Sequence, residues 1–404
     1  MAVHRTAGDR RFHGRTRAAA YRACSWPAAA CTRDLACRWP RCRAASRQPR
    51  RWTDADVEGS RPFTEVAPFL YGTEDSSPPM FDVPVAADGY HWWYLDALSS
   101  DGCSGLTMIA FIGSVFSPYY VAARRRGETR PENYCALNVA LYATSASRAD
   151  RRRTPSGWAM TERGETALAR TANSLAIGPS HLDWDGRTLT AVVDEVTCPW
   201  PSRLRGTVRL HPLALANRIV QLDAPGKHRW RPIAPSAHVD VDFDRPGLRW
   251  SGHAYLDSNC GDEPLEAGFD GWHWSRARIA SRAQAHRTDE TLVLYETARR
   301  DGSEGAFAIR FDAAGGDHDV ALPPHVGLPA TGWRIARSTR SDPSPPMTAR
   351  VLRTLEDTPF YARSLLATQW DGRTVTAMHE SVSLTRFRAR WVRALLPFRM
   401  PRRA

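Results

Sequence analysis

The sequence has no long uninterrupted apolar run. Its longest apolar stretch, Leu106–Tyr120, is broken by Gly113, Ser114 and Ser117, so no membrane-spanning helix is expected. No apolar segment follows the N-terminal arginines, so no secretory signal peptide is expected either. The eight cysteines contain no C-x-x-C pair. Cys24, Cys31, Cys37 and Cys42 are separated by six, five and four residues, a poor zinc-ribbon spacing. Cys103, Cys135, Cys198 and Cys260 are scattered, as buried or incidental thiols in a reducing compartment are. Helical periodicity is scarce, with one candidate near the C-terminus, so the predicted class is all-β.

Acidic residues are scarce in one place. Residues 1–52 hold thirteen Arg and no Lys against only Asp9 and Asp34, and so carry +11 of the chain's net +12. This Arg-, Ala- and Cys-rich stretch has no hydrophobic periodicity and reads as a disordered basic arm, which a start at Met80 would remove whole. Because the rest of the chain is nearly neutral, a nucleic-acid partner would rest on the arm alone, and none is predicted.

From Met80 onward short strands alternate with turns. Tyr90–Ala97, Gly105–Phe116, Ala136–Ala143, Arg187–Val196 and Leu204–Leu210 are rich in aromatic and β-branched residues, and Val239, Val241 and Phe243 alternate with Asp240, Asp242 and Asp244. Two motifs recur. Gly89-Tyr90-His91-Trp92 returns as Gly271-Trp272-His273-Trp274 at an offset of 182, and Trp184-Asp185-Gly186-Arg187 returns as Trp370-Asp371-Gly372-Arg373 at an offset of 186. The second is a strand–turn–strand signal. Such internal similarity predicts two tandem antiparallel β-barrels or strongly curved sheets. The boundaries are placed at 1–52 for the arm, 53–80 for a linker, 81–265 and 266–385 for the two β-domains, and 386–404 for a basic amphipathic tail, with the seam between the β-domains in Ser258–Gly271. In the tail, Arg386–Met400 mixes Arg with Phe, Trp and Leu, the composition of a segment that lies on an anionic membrane surface, or of a helix docked on a barrel.

Two stretches carry candidate chemistry. In Arg249–Leu265, Ser251, His253, Tyr255 and Asp257 fall on one side of a strand and Gly252, Ala254 and Leu256 on the other. The polar row faces either water or a ligand-holding interior. In Gly226–Arg231, His228 and Trp230 share one face while Lys227, Arg229 and Arg231 take the other. Together, His228, Trp230, Tyr255 and Asp257 would supply a base, a π-surface, a phenol and an acid. Taken singly, each has an ordinary structural use: Trp230 and Tyr255 in the core, His228 at a rim, Asp257 capping a turn. A metal site from His228, His253 and Asp257 has no i, i+2 or i, i+4 histidine pair behind it, and none is predicted.

The segments G-Y-H-W-W-Y-L-D-A-L at 89–98, F-I-G-S-V-F-S-P-Y-Y at 111–120, W-A-M-T-E-R-G at 158–164, H-R-W-R-P-I-A-P at 228–235, W-S-G-H-A-Y-L-D at 250–257, T-L-E-D-T-P-F-Y-A-R-S at 354–364 and F-R-M-P-R at 398–402 resemble those of the carotenoid 1,2-hydratases, or hydroxyneurosporene synthases. The resemblance runs from about Met80 to the C-terminus. It implies two lipocalin-like domains and cofactor-free hydration of the terminal C1=C2 bond of acyclic carotenoids such as neurosporene and lycopene, on the way to spheroidene or spirilloxanthin in photosynthetic bacteria. It also implies that His228, Trp230, Tyr255 and Asp257 are the catalytic residues.

Hydrating an unactivated trisubstituted alkene requires protonation at C2 and capture of the tertiary C1 cation by water. On this reading Asp257 delivers the proton from an apolar pocket that raises its pKa, the Trp230 ring faces the cation, His228 positions or deprotonates the water, and Tyr255 orients the carboxyl. Asp96, Glu162, Asp194, Glu195, Glu356 and Glu380 compete for the acid role, with Glu356 and Asp357 placed second to Asp257. A carotenoid or lipid carrier without turnover would use the same barrel. The expected location is cytoplasmic, at the inner membrane, with Arg386–Met400 as the contact.

Overall fold

The computed structural model describes residues 79–403 apart from 129, 146, 281–288 and 344–347. The basic arm and all but the end of the linker lie outside the described residues.

Among the described residues the chain builds a 13-stranded sheet, antiparallel except at its Arg402–Arg403 edge, a 7-stranded antiparallel one and a small two-stranded sheet. The first sheet runs through Gly157–Arg163, Cys135–Ala143, Ser104–Ile112, Tyr90–Ser99, Leu248–Gly261, His228–Arg245 and Arg203–Pro212, then continues through Leu189–Val196 to Leu168–Arg170. It curls on itself, so that the Gly157–Arg163 strand lies near the Leu189–Val196 strand and Arg163 reaches Glu195 at 2.7 Å. The second sheet is ordered Asp317–Asp319, Glu304–Phe311, Asp289–Arg299, Phe269–Ala280, Arg373–Ser383, Tyr361–Trp370 and Ala349–Asp357. Its seven strands repeat the connection order of the first seven named above: four strands in meander, with the returning strands added beside the first.

The G-Y-H-W and G-W-H-W motifs both open the pivotal strand of their sheet, Tyr90–Ser99 and Phe269–Ala280. The two Asp-Gly motifs do not occupy equivalent places. Trp184-Asp185-Gly186 joins strands at the far end of the first sheet, whereas Trp370-Asp371-Gly372 joins the two strands beside the pivotal one in the second. Only the latter has positive φ at both central residues, 49° at Asp371 and 72° at Gly372, the requirement of a type I′ turn. Hairpin chemistry recurs wherever a tight turn is needed, so that match marks turns rather than a repeat.

The Tyr90–Ser99 strand is buried at all ten positions because it is covered on both faces. Trp93, Leu95 and Ala97 enter the core inside the curled first sheet, with Leu106, Val139, Val241 and Leu256. Tyr90, Trp92, Tyr94 and Leu98 face the other way, into a layer shared with Trp272, Trp274, Val293, Tyr295 and Phe307 of the second sheet. Each large side chain so buried contributes roughly 1.5 to 3 kcal/mol, which makes this layer the main adhesive between the sheets.

The expected Gly105–Phe116 strand stops at Ile112. Ser117 caps a short helix, Pro118–Arg124, by accepting from the Tyr119 and Tyr120 amides at 3.1 and 2.9 Å, and Pro118 supplies the fixed φ of its first turn. The tail forms two short helices, Leu384–Phe387 and Arg390–Leu395, and a strand, Arg402–Arg403, paired in parallel with Glu162–Arg163. It is docked through Leu384, Phe387, Val392, Leu396 and Met400, while Trp391, Leu395 and Phe398 stay exposed.

Candidate functional site

The polar row of Leu248–Gly261 faces neither water nor a barrel interior along its whole length. Ser251 is exposed and His253 half-buried, but Tyr255, Asp257 and Asn259 are buried where the second sheet covers them. The stack of strands explains it: Leu256 points into the first sheet's own core, so its neighbours must point into the shared layer.

The Asp257 carboxyl is 3 % exposed. Trp230 Nε1 and the Tyr255 hydroxyl both donate to Oδ2, each at 2.7 Å, and Oδ1 is buried without a hydrogen-bond partner. Burial raises its pKa from the usual 3.8 to about 8, against the pull of those two donors; the nearby charges of Glu380 and Asp96 push the same way as burial. At neutral pH the group is therefore an undissociated acid, and with two donors already on Oδ2 its proton belongs on Oδ1.

The competing carboxylates are nearly all paired with arginine. Asp96 binds Arg276 (2.8 Å), Glu162 binds Arg402 (2.6 Å), Glu195 binds Arg163 (2.7 Å), Glu356 binds Arg363 (2.9 Å), Glu380 binds Arg363 (2.5 Å), and Asp194 binds Arg203. The exception, Asp357, accepts from the Trp333 amide at 3.1 Å, in a loop contact. Asp257 has only neutral donors and is buried between the sheets, and this combination singles it out among the candidates.

Of the four residues singled out in the sequence, the structure brings Asp257, Trp230 and Tyr255 together and leaves His228 apart. His228 pairs in register with Gly261, four residues along the strand from Asp257. Its Nδ1 shares a 2.9 Å hydrogen bond with the Tyr90 hydroxyl, its Nε2 lies 3.5 Å from Glu263, and its ring meets Phe269 edge-on at 4.8 Å. Gly261 and Gly268 make room for it, since a Cβ on Gly268 would fall 2.5 Å from Nε2. Burial lowers its pKa below the ordinary 6.5, favouring the neutral imidazole. Trp230 is also placed differently from expectation: its indole packs on Tyr295 and Phe307, at 5.8 and 5.5 Å, and presents its N–H rather than its π-face to the carboxyl. His253 does not join a metal set, and among the described residues no group of three His, Cys, Asp or Glu could hold one.

Asp257 opens on a cavity of about 30 Å³ between the sheets, room for about two waters. Its polar lining is Asp257, Asn259 and Glu380, and its walls are the rings of Trp92, Tyr94, Trp272, Trp274 and Tyr295. Sequence reasoning passes over these rings, although Trp92, Trp272 and Trp274 belong to the repeated motif that marks the pivotal strands. A larger cavity of about 240 Å³ lies in the same inter-sheet layer, lined by Ile109, Phe111, Phe116, Met160, Phe360 and Met400 among others, and bordered by Trp333, Leu395 and Arg399. The two are neighbours: Arg363 lines the larger and its ion-pair partner Glu380 the smaller, while the Phe111 and Trp92 rings lie 6.2 Å apart.

An acid held protonated beside aromatic rings and an apolar cavity suits the protonation of a hydrocarbon. Comparison with known proteins supplies the family. The family model described as "Carotenoid hydratase CrtC" matches residues 108–404. The chain belongs to the carotenoid hydratase family. Among curated relatives, the acyclic carotenoid 1,2-hydratase of Thiocapsa roseopersicina is 51% identical over 82% of this chain and 77% of its own length. That of Rubrivivax gelatinosus is 47% identical over 81% and 76%, and that of Rhodobacter capsulatus 38% identical over 74% and 98%. A member of this family is a hydro-lyase, an enzyme that adds water to a carbon–carbon double bond.

Proposed function

We propose that the chain hydrates the terminal C1=C2 bond of an acyclic carotenoid such as neurosporene or lycopene, with Asp257 as the proton donor. The observation that carries this reading is a buried carboxyl that has no arginine, is bound only by the neutral Trp230 and Tyr255 donors, and lies against an aromatic chamber. The Oδ1 proton goes to C2 as the π-electrons form the new C–H bond, leaving a tertiary cation at C1. The rings of Trp92, Trp272 and Trp274 flank it, a contact worth about 2 kcal/mol where water is excluded. Negative charge grows at the same moment on the Asp257 carboxyl. Trp230 and Tyr255 already donate to Oδ2, so their hydrogen bonds strengthen as the charge develops, which favours the transition state over the ground state. On this account Trp230 and Tyr255 orient and stabilise the carboxyl, and His228 braces Tyr90 at the edge of the layer. The larger apolar cavity takes a stretch of the polyene, and the end of the chain reaches Asp257 only where the Phe111–Trp92 and Arg363–Glu380 walls part, which must widen the chamber beyond the two-water volume it has without substrate.

The tail supports approach from a membrane on the cytoplasmic side. Trp391, Leu395 and Phe398 are exposed beside Arg386, Arg390, Arg393 and Arg399, the mixture of interfacial rings and cations that an anionic bilayer attracts. Leu395 and Arg399 also border the larger cavity, so a polyene could pass from lipid into protein without crossing water. Within the described residues no helix is long and apolar enough to cross a membrane.

The test is Asp257→Asn incubated with lycopene in D₂O. The expected result is no product heavier by water and no deuterium in recovered substrate, with polyene binding retained. Turnover by the Asn variant would overturn the assignment.

A further inference from the structure

Hydration has a second half. When water captures the C1 cation, the product is a protonated alcohol, and some group must orient that water and accept its proton. His228 is not beside Asp257, and Asp257 itself has its Oδ2 taken by two donors and its Oδ1 assigned above to proton delivery. The remaining carboxylate in the chamber is Glu380.

Glu380 faces Asp257 from the opposite sheet. Asp257 pairs in register with Tyr94, Glu380 pairs with Trp274, and the Tyr94 and Trp274 rings meet edge-on at 5.4 Å. The two carboxyls therefore stand on either side of one ring contact, one per sheet. Arg363 donates to Glu380 through both Nε (3.1 Å) and Nη2 (2.5 Å), and both bonds fall on Oε1. Oε2 lies outside that ion pair. Arg363 also holds Glu356 at 2.9 Å, which anchors it from the other side.

We propose that Glu380 is the catalytic base of the water-addition half-reaction, an inference that rests on Asp257 being the acid. Water hydrogen-bonded to Oε2 attacks C1 from the face opposite Asp257. Its oxygen lone pair forms the C–O bond, and one O–H proton passes to Oε2, giving the tertiary alcohol and a neutral Glu380. The proton then returns to the Asp257 carboxylate through water in the chamber that both groups line, so that alkene and water enter, alcohol leaves, and no other reactant is consumed. Asn259, whose amide approaches the Tyr295 hydroxyl at 3.4 Å, lines the same chamber and offers that water a further partner.

The experiment is lycopene turnover in D₂O by the full chain carrying Glu380→Gln, with product and recovered substrate read by mass spectrometry. If Glu380 is the base, protonation by Asp257 still occurs but capture is slow. Product formation falls about 10² to 10³-fold, and the longer-lived cation instead sheds the original C2 hydrogen or a proton of a C1 methyl group, so the recovered hydrocarbon, lycopene or its double-bond isomer, gains deuterium. Glu380→Asp, which keeps a carboxylate on Arg363, should restore part of the product at the expense of exchange. Glu356→Gln breaks the other Arg363 ion pair without removing the base; a purely structural role for Glu380 predicts that Glu356→Gln and Glu380→Gln behave alike. Wild-type turnover by Glu380→Gln, or loss of product with no deuterium in the substrate, overturns the proposal. Asp257→Asn separates the two assignments, because loss of the acid abolishes exchange as well as product, and exchange persisting in that variant would fault the acid and not the base.

Discussion

If the Asp257 carboxyl is kept neutral by burial, the stability of the fold must depend on pH in a way that Asp257→Asn removes. The folded pKa of about 8 lies above the ordinary 3.8 of an exposed aspartate. Between these values the unfolded chain releases the proton and the folded chain keeps it, so stability is fully present below about pH 4 and declines as pH rises through 8. The slope is about 1.4 kcal/mol per pH unit, and the whole decline is on the order of 5 kcal/mol. Asparagine mimics the neutral acid: its amide oxygen can accept from Trp230 and Tyr255 and its NH₂ can stand where Oδ1–H stood. The variant should therefore gain on the wild type by about 2 to 3 kcal/mol between pH 5.5 and 7.5, with the difference levelling off above pH 8. Urea unfolding of both proteins at half-unit intervals from pH 5 to 9 measures this directly, because every other titrating group cancels in the difference. A wild-type minus variant difference that stays constant across that range would refute the claim that this carboxyl is protonated in the native state.

Other outcomes follow from the same geometry. Hydration should hold steady just below pH 7 and fall tenfold per unit above about 8, since only the protonated Asp257 can donate; a rate that rises from pH 7 to 9 would contradict it. Trp230→Phe removes one donor from Oδ2, which should lower kcat/KM about 10- to 100-fold and move the alkaline fall to higher pH, because that donor favours the ionised form. Replacing Trp391 and Phe398 together by Ser should weaken pelleting with anionic vesicles and raise KM for vesicle-borne lycopene, with kcat in detergent unchanged.

The grouping of Asp257 with Trp230 and Tyr255 is legible in the sequence, because strand alternation puts Tyr255 and Asp257 on one face and Trp230 on the matching face of its neighbour. The same logic draws His228 into the group, and there it fails. Alternation reports the face a side chain takes, but not how far along the partner strand it lies, and register sets His228 four residues away from the acid. The arginines that disqualify the other carboxylates are not legible. Arg276 is 180 residues from Asp96 and Arg402 is 240 from Glu162, and nothing local announces either pair. The Trp230 ring departs from its expected role because composition does not say which edge of an indole meets a carboxyl.

Local pattern determined several strands of the first sheet and the Asp371-Gly372 turn, since each depends on residues within one short segment, and seven such segments along the chain pointed to the family. It also limited the acid to a handful of carboxylates. The stacking of two sheets decided the rest: it turned a half-polar strand face into a dry interior, matched one carboxyl with neutral donors and most of the others with guanidinium groups, and set Glu380 across from Asp257. The cost of burying charge depends on what surrounds it in three dimensions, and in this fold those surroundings come from strands far apart in the chain.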